Sequence, residues 1–398
     1  MEKFNLYYHG EKSRGLAEFL KKFSALTNYS INVNIKSLPN GNSGKEFALL
    51  PRSLRKLLFF GHPDVILTYD NGIESEKTIF AWEITDAKPA TDHWMQRFPS
   101  LVGACELGIP SVFIMRYESD TNKWKGKLNS EFFYAYDRVM EIQEIPIYLA
   151  DWCPNEKGEL SADKDYPDVP DRDSFSMKDT IKFLNTTIDY AIHGKDFKNL
   201  IKERLIVDLR NKHRIKISEI PHPGNYNRLK HLSNEGYVDW QTVVNYIENE
   251  KKLKIPSLPE RIPLRNKSLV FLPRLTKTNR VLKETLMDRI HKKNGNPYNG
   301  MPLAFDFLFC RLGTTTYDRD VNLLIDLSEL SFEEFSVYAR KVHDSSPIGK
   351  NTLPKESEIP KYSLHLTEGY THEIKDFIRQ YCYAADIIIL KDIVIPFR

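Results

Sequence analysis

Two strongly apolar runs, Ile79 to Thr85 (IFAWEIT) and Ser111 to Arg116 (SVFIMR), flank a segment of helical length, Asp92 to Leu107 (DHWMQRFPSLVGACEL). Strands this continuously apolar belong in a sheet covered on both faces, because a half-exposed strand alternates apolar with polar residues. A strand, a crossover helix and a second strand form a βαβ unit, so the two strands are predicted to be parallel. Pro99 must break or kink the helix between them. Both faces of such a sheet need helical layers. The segment 1–152 is therefore predicted to be an α/β/α domain with a mixed sheet.

The neighbouring sequence supplies further elements. Residues 13–26 form an amphipathic helix, with Leu16, Phe19, Leu20, Phe23 and Leu26 at helical spacing. Ser30 to Lys36 alternates like a short strand, 39–44 carries loop signals, and Leu49 to Phe60 is helix or irregular. Asp64 to Asp70 reads as a strand and Asn71-Gly72 as its hairpin turn; Glu144 to Leu149 reads as another strand. Residues 153–175 are polar, acidic and proline-rich, which predicts a linker or long surface loop. The remainder, 176–398, is predicted to be a mostly helical α+β region. It has helix over 176–215, two short helices in 226–252, strands at Val321 to Leu327 and Ala385 to Pro396, and helices at Phe332 to Val342 and Thr371 to Tyr381.

A length of 398 residues exceeds one small core. With 57 basic and 54 acidic residues the net charge is +3, which neither favours nor excludes a nucleic-acid partner, since a basic cleft can surround an acidic centre. Cys105, Cys153, Cys310 and Cys382 are scattered singly, without zinc-knuckle or redox spacing, as expected of reduced thiols. No signal-peptide core opens the sequence, and no apolar run approaches the ~20 residues that span a bilayer. A cytoplasmic protein without a membrane partner is expected. No glycine-rich phosphate loop or GxSxG elbow is present, so no nucleotide cofactor is expected.

Asp64 opens one strand and Glu83 sits near the end of the next. Two carboxylates on neighbouring strands make a site for a hard divalent cation, and such a cation can promote phosphodiester hydrolysis. Pro63-Asp64, the strand ending Glu83-Ile84-Thr85, the helix carrying Gln96-Arg97 and the strand 111–116 together resemble the core of the PD-(D/E)XK phosphodiesterase superfamily, which includes the restriction endonucleases. The resemblance covers roughly residues 10–120 and rests on the order of elements more than on the short signature. It implies a restriction-endonuclease-like fold, Mg²⁺ as cofactor, and Asp64 and Glu83 as its ligands, with the Ile84 carbonyl as a further one.

That superfamily usually has a lysine two residues after the second acid, where this chain has Thr85. Lys88 reaching back from the strand end, or Gln96 or Arg97 from the helix, are the replacements to consider. Asp86-Ala87-Lys88 also matches the half-motif literally, which makes Asp86 the alternative second acid. Strand alternation favours Glu83, which shares a face with Thr85, whereas Asp86 points away unless the strand has ended. Asp92 and Gln96 share a helix face that looks onto the site, unless Asp92 is simply an N-cap. Glu18 is either an additional metal ligand or a surface glutamate.

Candidate DNA contacts are Arg52, Arg55 and Lys56; Arg210, Lys212 and Arg214 in the basic run Lys198 to Arg214; and Arg228 and Lys230 in a stretch resembling a helix-turn-helix. Each basic run reads equally as a solvated helix face. The expected activity is that of a Mg²⁺-dependent, type II restriction-like endonuclease acting on double-stranded DNA, as a homodimer because two strands need two sites. Thr85 keeps open a non-catalytic nucleic-acid-binding protein on the same core, and a nuclease for branched DNA or RNA is a third reading.

Overall fold

The computed structural model describes residues 2–39, 44–87, 94, 97–121, 124–128, 130–153, 159–219, 238–255, 267–271, 321–328, 331–332 and 386–396. The chain divides into two units, Met1–Pro221 and His222–Arg398. In the first, β1 (Lys3–Tyr8), α1 (Gly10–Phe23) and β2 (Asn32–Ser37) are followed by α2 (Gly44–Ala48), α3 (Arg52–Phe60), β3 (Val65–Asp70) and β4 (Lys77–Ile84). Then come α4 (Phe98–Glu106), β5 (Ser111–Met115), the hairpin β6 (Glu118–Thr121) and β7 (Trp124–Lys127), and α5 (Ser130–Gln143). β8 (Ile147–Asp151), α6 (Phe175–Ile192) and α7 (Arg204–Glu219) complete the unit.

Six strands form one mixed sheet in the order β2-β1-β3-β4-β5-β8. β4 and β5 are parallel, pairing Glu83 with Phe113, so the predicted crossover is present. β1 and β2 form a second parallel pair across α1, whereas β3 runs antiparallel to both β1 and β4. Pro99 lies in the first turn of α4, where its missing N–H costs nothing. Trp94 is helical, Arg97 lies in a turn and a new helix starts at Phe98, so the segment is broken just ahead of the proline. The β3–β4 connection is also longer than a two-residue turn: Asp70 and Asn71 carboxyl and amide oxygens accept from the N–H groups of Gly72, Ile73 and Glu74. In β1, Phe4 and Leu6 alternate with Lys3 and Asn5, yet Asn5 is fully buried and donates to Glu76 at 2.7 Å.

Both faces of the sheet are covered. On one, α1 and α6 bring Leu16, Phe19, Leu20, Phe183 and Leu184 against Phe4, Leu6, Leu67, Phe80, Trp82 and Val112. On the other, α3, α4 and α5 bury Leu57, Leu58, Phe98, Leu101, Phe132 and Tyr136, with Phe113 of β5 packed against Phe132 and Tyr136.

Of the two readings of 153–175, linker or long surface loop, residues 159–174 fit the loop, and this loop is packed onto the first unit. Asp163 is 3% exposed and ion-paired with Arg172, which also holds Asp165 at 2.7 Å and lies 4.3 Å above the Phe23 ring of α1. The guanidinium holds the Asp163 carboxyl below the ordinary aspartate range. Trp152 donates to the Ser161 carbonyl at 2.9 Å, Ala162 bridges Pro170, and Tyr166 meets the rings of Phe19 and Phe23 edge-on. The boundary also moves from residue 152 to residue 221, because α6 closes the sheet and α7 packs on α5 through His213 and Phe133.

In the second unit the described strands are β9 (Val238–Asp239), β10 (Lys267–Phe271), β11 (Val321–Asp326), β12 (Ile387–Ile389) and β13 (Val394–Pro396). They form a five-stranded sheet in the order β13-β12-β11-β10-β9, and α8 (Trp240–Asn245) packs Val243 against it. The described residues of this unit are thus richer in strand than the mostly helical expectation. The helices expected at Phe332 to Val342 and Thr371 to Tyr381 lie outside the described residues, apart from Phe332.

Candidate active site

The centre of the site is a pair of acids placed by strand register. Val65 of β3 and Trp82 of β4 are the last pair of the ladder, and the register, carried one residue past its end, sets Asp64 opposite Glu83. Directly opposed residues on antiparallel strands point to the same side with their side chains close, and two like charges there repel. The Asp64 carboxylate is close enough to Glu83 to make its ionisation harder. Asp64 is oriented from three directions. Its Oδ1 accepts from Ser13 Oγ of α1 at 2.9 Å, its Oδ2 from the Ile84 N–H at 2.8 Å, and its carbonyl from the His9 N–H at 2.9 Å.

Glu83 lies deeper, 6% exposed. Burial first, and the Asp64 charge second, raise its pKa well above 4.5, while Arg97 and Ser100 pull the other way. Ser100 Oγ is 3.3 Å from Glu83 Oε1. Burial, then the Glu83 charge, also raises the Tyr136 hydroxyl, so Glu83, Arg97 and Tyr136 share one buried environment. Ser100 is held close by Gly61, whose position leaves no room for a side chain: a Cβ there would stand 2.5 Å from the Ser100 Cβ.

A cavity of about 360 Å³ opens beside this pair. α1 contributes Lys12, Ser13 and Leu16; the strand ends contribute Asp64, Ile84, Thr85 and Asp86, and Arg97 adds a cation. Trp152, Leu160, Ala162, Pro167 and Asp168 complete the lining, all but the first from the segment expected to be a linker or long loop. Asp64 is part of the cavity wall and Glu83 stands behind it, so a cation entering from solvent meets Asp64 first.

The two candidates for the second acid are separated by this geometry. Glu83 touches Asp64; Asp86 lies past the end of β4, exposed at the cavity rim. Thr85 faces the cavity, but its hydroxyl accepts from the Ala87 N–H at 3.2 Å and brings no charge. Arg97 is in the site. Lys88, Asp92 and Gln96 lie outside the described residues. Glu18 does not line the cavity; it pairs with Arg14 on the outer side of α1. Of the two readings of Glu18, the surface glutamate is the one that agrees with this exposed ion pair.

The DNA-contact candidates divide as well. Arg210 is spent on Asp137 of α5 at 2.6 Å and Arg214 reaches the same carboxylate at 3.6 Å, so both fasten α7 to α5. Lys212, Arg52 and Lys56 are exposed and Arg55 is half-buried. None of these lines the cavity. Arg228 and Lys230 lie outside the described residues.

Ser13, Ser100 and Lys12 were not singled out from the sequence. Ser13 had a signal, since a serine on the stripe Ser13, Leu16, Ala17, Leu20 is a polar residue where an apolar one packs.

As donors, two carboxylates suit Mg²⁺, which takes oxygen ligands and commonly uses one or two protein carboxylates with several waters. Among the described residues no group of three or more His, Cys, Asp or Glu side chains is placed to hold a metal ion. Also among them, no helix is long and apolar enough to cross a membrane. No protein-family model, curated protein or solved structure matches the chain.

The raised Glu83 pKa predicts how the cation-free protein responds to pH. Between the ordinary glutamate value and its raised one, the folded chain binds a proton that the unfolded chain has released, so stability falls as pH rises through that window. Thermal melts in EDTA from about pH 5 to about pH 8 are expected to show this decline relative to a Glu83→Gln variant, and added Mg²⁺ to offset it. A variant that tracks wild type at every pH would show that no proton is held at Glu83.

Proposed function

We propose that this chain is a Mg²⁺-dependent endonuclease of the restriction type, hydrolysing phosphodiester bonds of double-stranded DNA at Asp64 and Glu83. The observation that carries the reading is the opposed acid pair at a cavity, a repulsive arrangement that a divalent cation resolves. Asp64, fixed by Ser13 and Ile84, and Glu83 behind it would hold the ion, with the Ile84 carbonyl as a further oxygen donor. Bound there, Mg²⁺ supplies an activated water and neutralises charge on the scissile phosphate. Arg97 offsets charge at Glu83, and Ser100 sets the direction of its carboxyl. Cleavage of both strands calls for a second copy, which makes a homodimer part of this reading.

A second reading has one specific observation behind it. Thr85, uncharged and turned to the Ala87 N–H, fits a core that binds nucleic acid without cutting it. Incubation of the full chain with plasmid DNA and Mg²⁺ separates the two. Discrete fragments support the restriction-type enzyme, a smear supports a nuclease without sequence preference, and binding without cleavage supports the non-catalytic protein.

A further inference from the structure

Lys12 breaks a rule of helix electrostatics. It occupies the first turn of α1, where the helix dipole and the unpaired backbone N–H groups favour acidic side chains and disfavour cations. His9 provides no side-chain cap there; Glu11 supplies the acidic charge that such a turn favours, and Lys12 beside it does not. Lys12 also makes no hydrogen bond or ion pair among the described residues, whereas Arg14, two positions on, is paired with Glu18. It is exposed, and it lines the cavity beside Asp64. Lys12 is thus an exposed cation without a partner among the described residues, at the wall of a cavity that a ligand can enter, and departures from local rules of this kind are expected at functional sites.

The charges around the cavity say which ligand. Asp64, Asp86 and Asp168 line it together with Lys12 and Arg97, and Arg97 is already engaged electrostatically by buried Glu83. Thr85 adds none. Among the described residues, a phosphodiester entering this cavity meets the carboxylates of Asp64, Asp86 and Asp168 and the cation of Lys12. We propose that Lys12, supported by the N-terminal end of α1, is the substrate-contacting residue that receives the phosphate of the nucleic acid next to the Asp64–Glu83 pair. The proposal rests on the nuclease reading for the identity of its ligand, and it assigns the positive charge to the first helix instead of to Lys88 or the Gln96-Arg97 helix.

Ser13, the next residue, hydrogen-bonds Asp64 at 2.9 Å, so the same helical turn places both the acid and the cation. A change at Lys12 can therefore be kept from disturbing Asp64 only if Ser13 stays in place, which a solvent-exposed Lys12→Ala substitution allows.

The test compares wild type, Lys12→Ala and Lys12→Arg, with Asp64→Asn as control, in cleavage of an oligonucleotide duplex over a salt series. Loss of one preorganised charge contact to the reacting phosphate is expected to lower kcat by about 10²-fold in Lys12→Ala, with partial recovery in Lys12→Arg. Mn²⁺ affinity and thermal stability should stay at wild-type level, which separates a substrate contact from a structural one. Binding of the same duplex in Ca²⁺ should lose about one unit of its log–log salt slope in Lys12→Ala. Lys12→Ala that cleaves within about threefold of wild type, while Asp64→Asn is inactive, overturns the Lys12 assignment and leaves the nuclease reading standing. If wild type does not cleave, that reading falls, and an unchanged salt slope then overturns Lys12 separately.

Discussion

Asp64→Asn is expected to abolish Mg²⁺-dependent cleavage, by at least about 10³-fold, while leaving the fold intact. The asymmetry follows from what Asp64 touches. The amide oxygen of asparagine can still accept from the Ile84 N–H, and its NH₂ can donate to Ser13 Oγ, so both anchoring contacts have a counterpart. What disappears is the negative charge at the cavity wall. Because Glu83 loses a like-charged neighbour at the same time, the variant should melt at or above the wild-type temperature without Mg²⁺, and its Mg²⁺-induced shift should vanish. Supercoiled-plasmid cleavage and thermal melts with and without Mg²⁺ read both effects. An Asp64→Asn protein that cuts at the wild-type rate removes this pair from the mechanism.

Gly61→Ala is the second large effect, and it comes from a residue with no chemistry of its own. The glycine backbone is extended and would accept any side chain; what forbids one is space. The added Cβ would lie 2.5 Å from the Ser100 Cβ and 3.2 Å from its Cα, so the start of α4 has to move. Overpacking of this kind costs about 1–3 kcal/mol. Ser100 stands 3.3 Å from Glu83, and a displacement near 1 Å at the reacting groups can reduce turnover by about 10²-fold. Paired with Ser100→Gly, the substitution should recover much of the lost stability, because the nearest clashing atom is gone. A double-mutant cycle by urea unfolding measures the coupling; purely additive effects would show that the two residues do not compete for space.

Much of the sheet was legible in the sequence, and for a physical reason. Ile79 to Thr85 and Ser111 to Arg116 owe their apolarity to burial on both faces, and such runs admit few alternatives. Glu83 lies on β4 and Asp64 just ahead of β3, the strand that pairs with it. The alternation used to set Asp86 aside was less decisive, since β4 ends at Ile84 and no face is defined beyond it. β1 is short, and what fixes its buried Asn5 is Glu76, a partner remote in sequence. The cavity wall from 159 to 173 escaped for a related reason: its charges look solvated, yet Asp163 is neutralised by Arg172 inside the fold. Long-range pairing of polar groups leaves no periodic trace. Lys12 is of the same kind, a lone charge whose meaning depends on the three-dimensional neighbourhood of its helix end.

The Arg172 contact to Asp163, Asp165 and the Phe23 ring carries one more implication, for anyone dividing this protein into pieces. A chain stopped at residue 152 would retain both acids and every strand of the first sheet, and would look on paper like a minimal catalytic core. It would also lay bare Phe80, Trp82 and Tyr148, which α6 now covers through Phe183 and Leu184, and it would lose the brace that fastens the returning chain to α1. Such a fragment is a candidate for inclusion bodies, while one ending near residue 221 keeps its own lid and is the natural unit to express, graft or evolve.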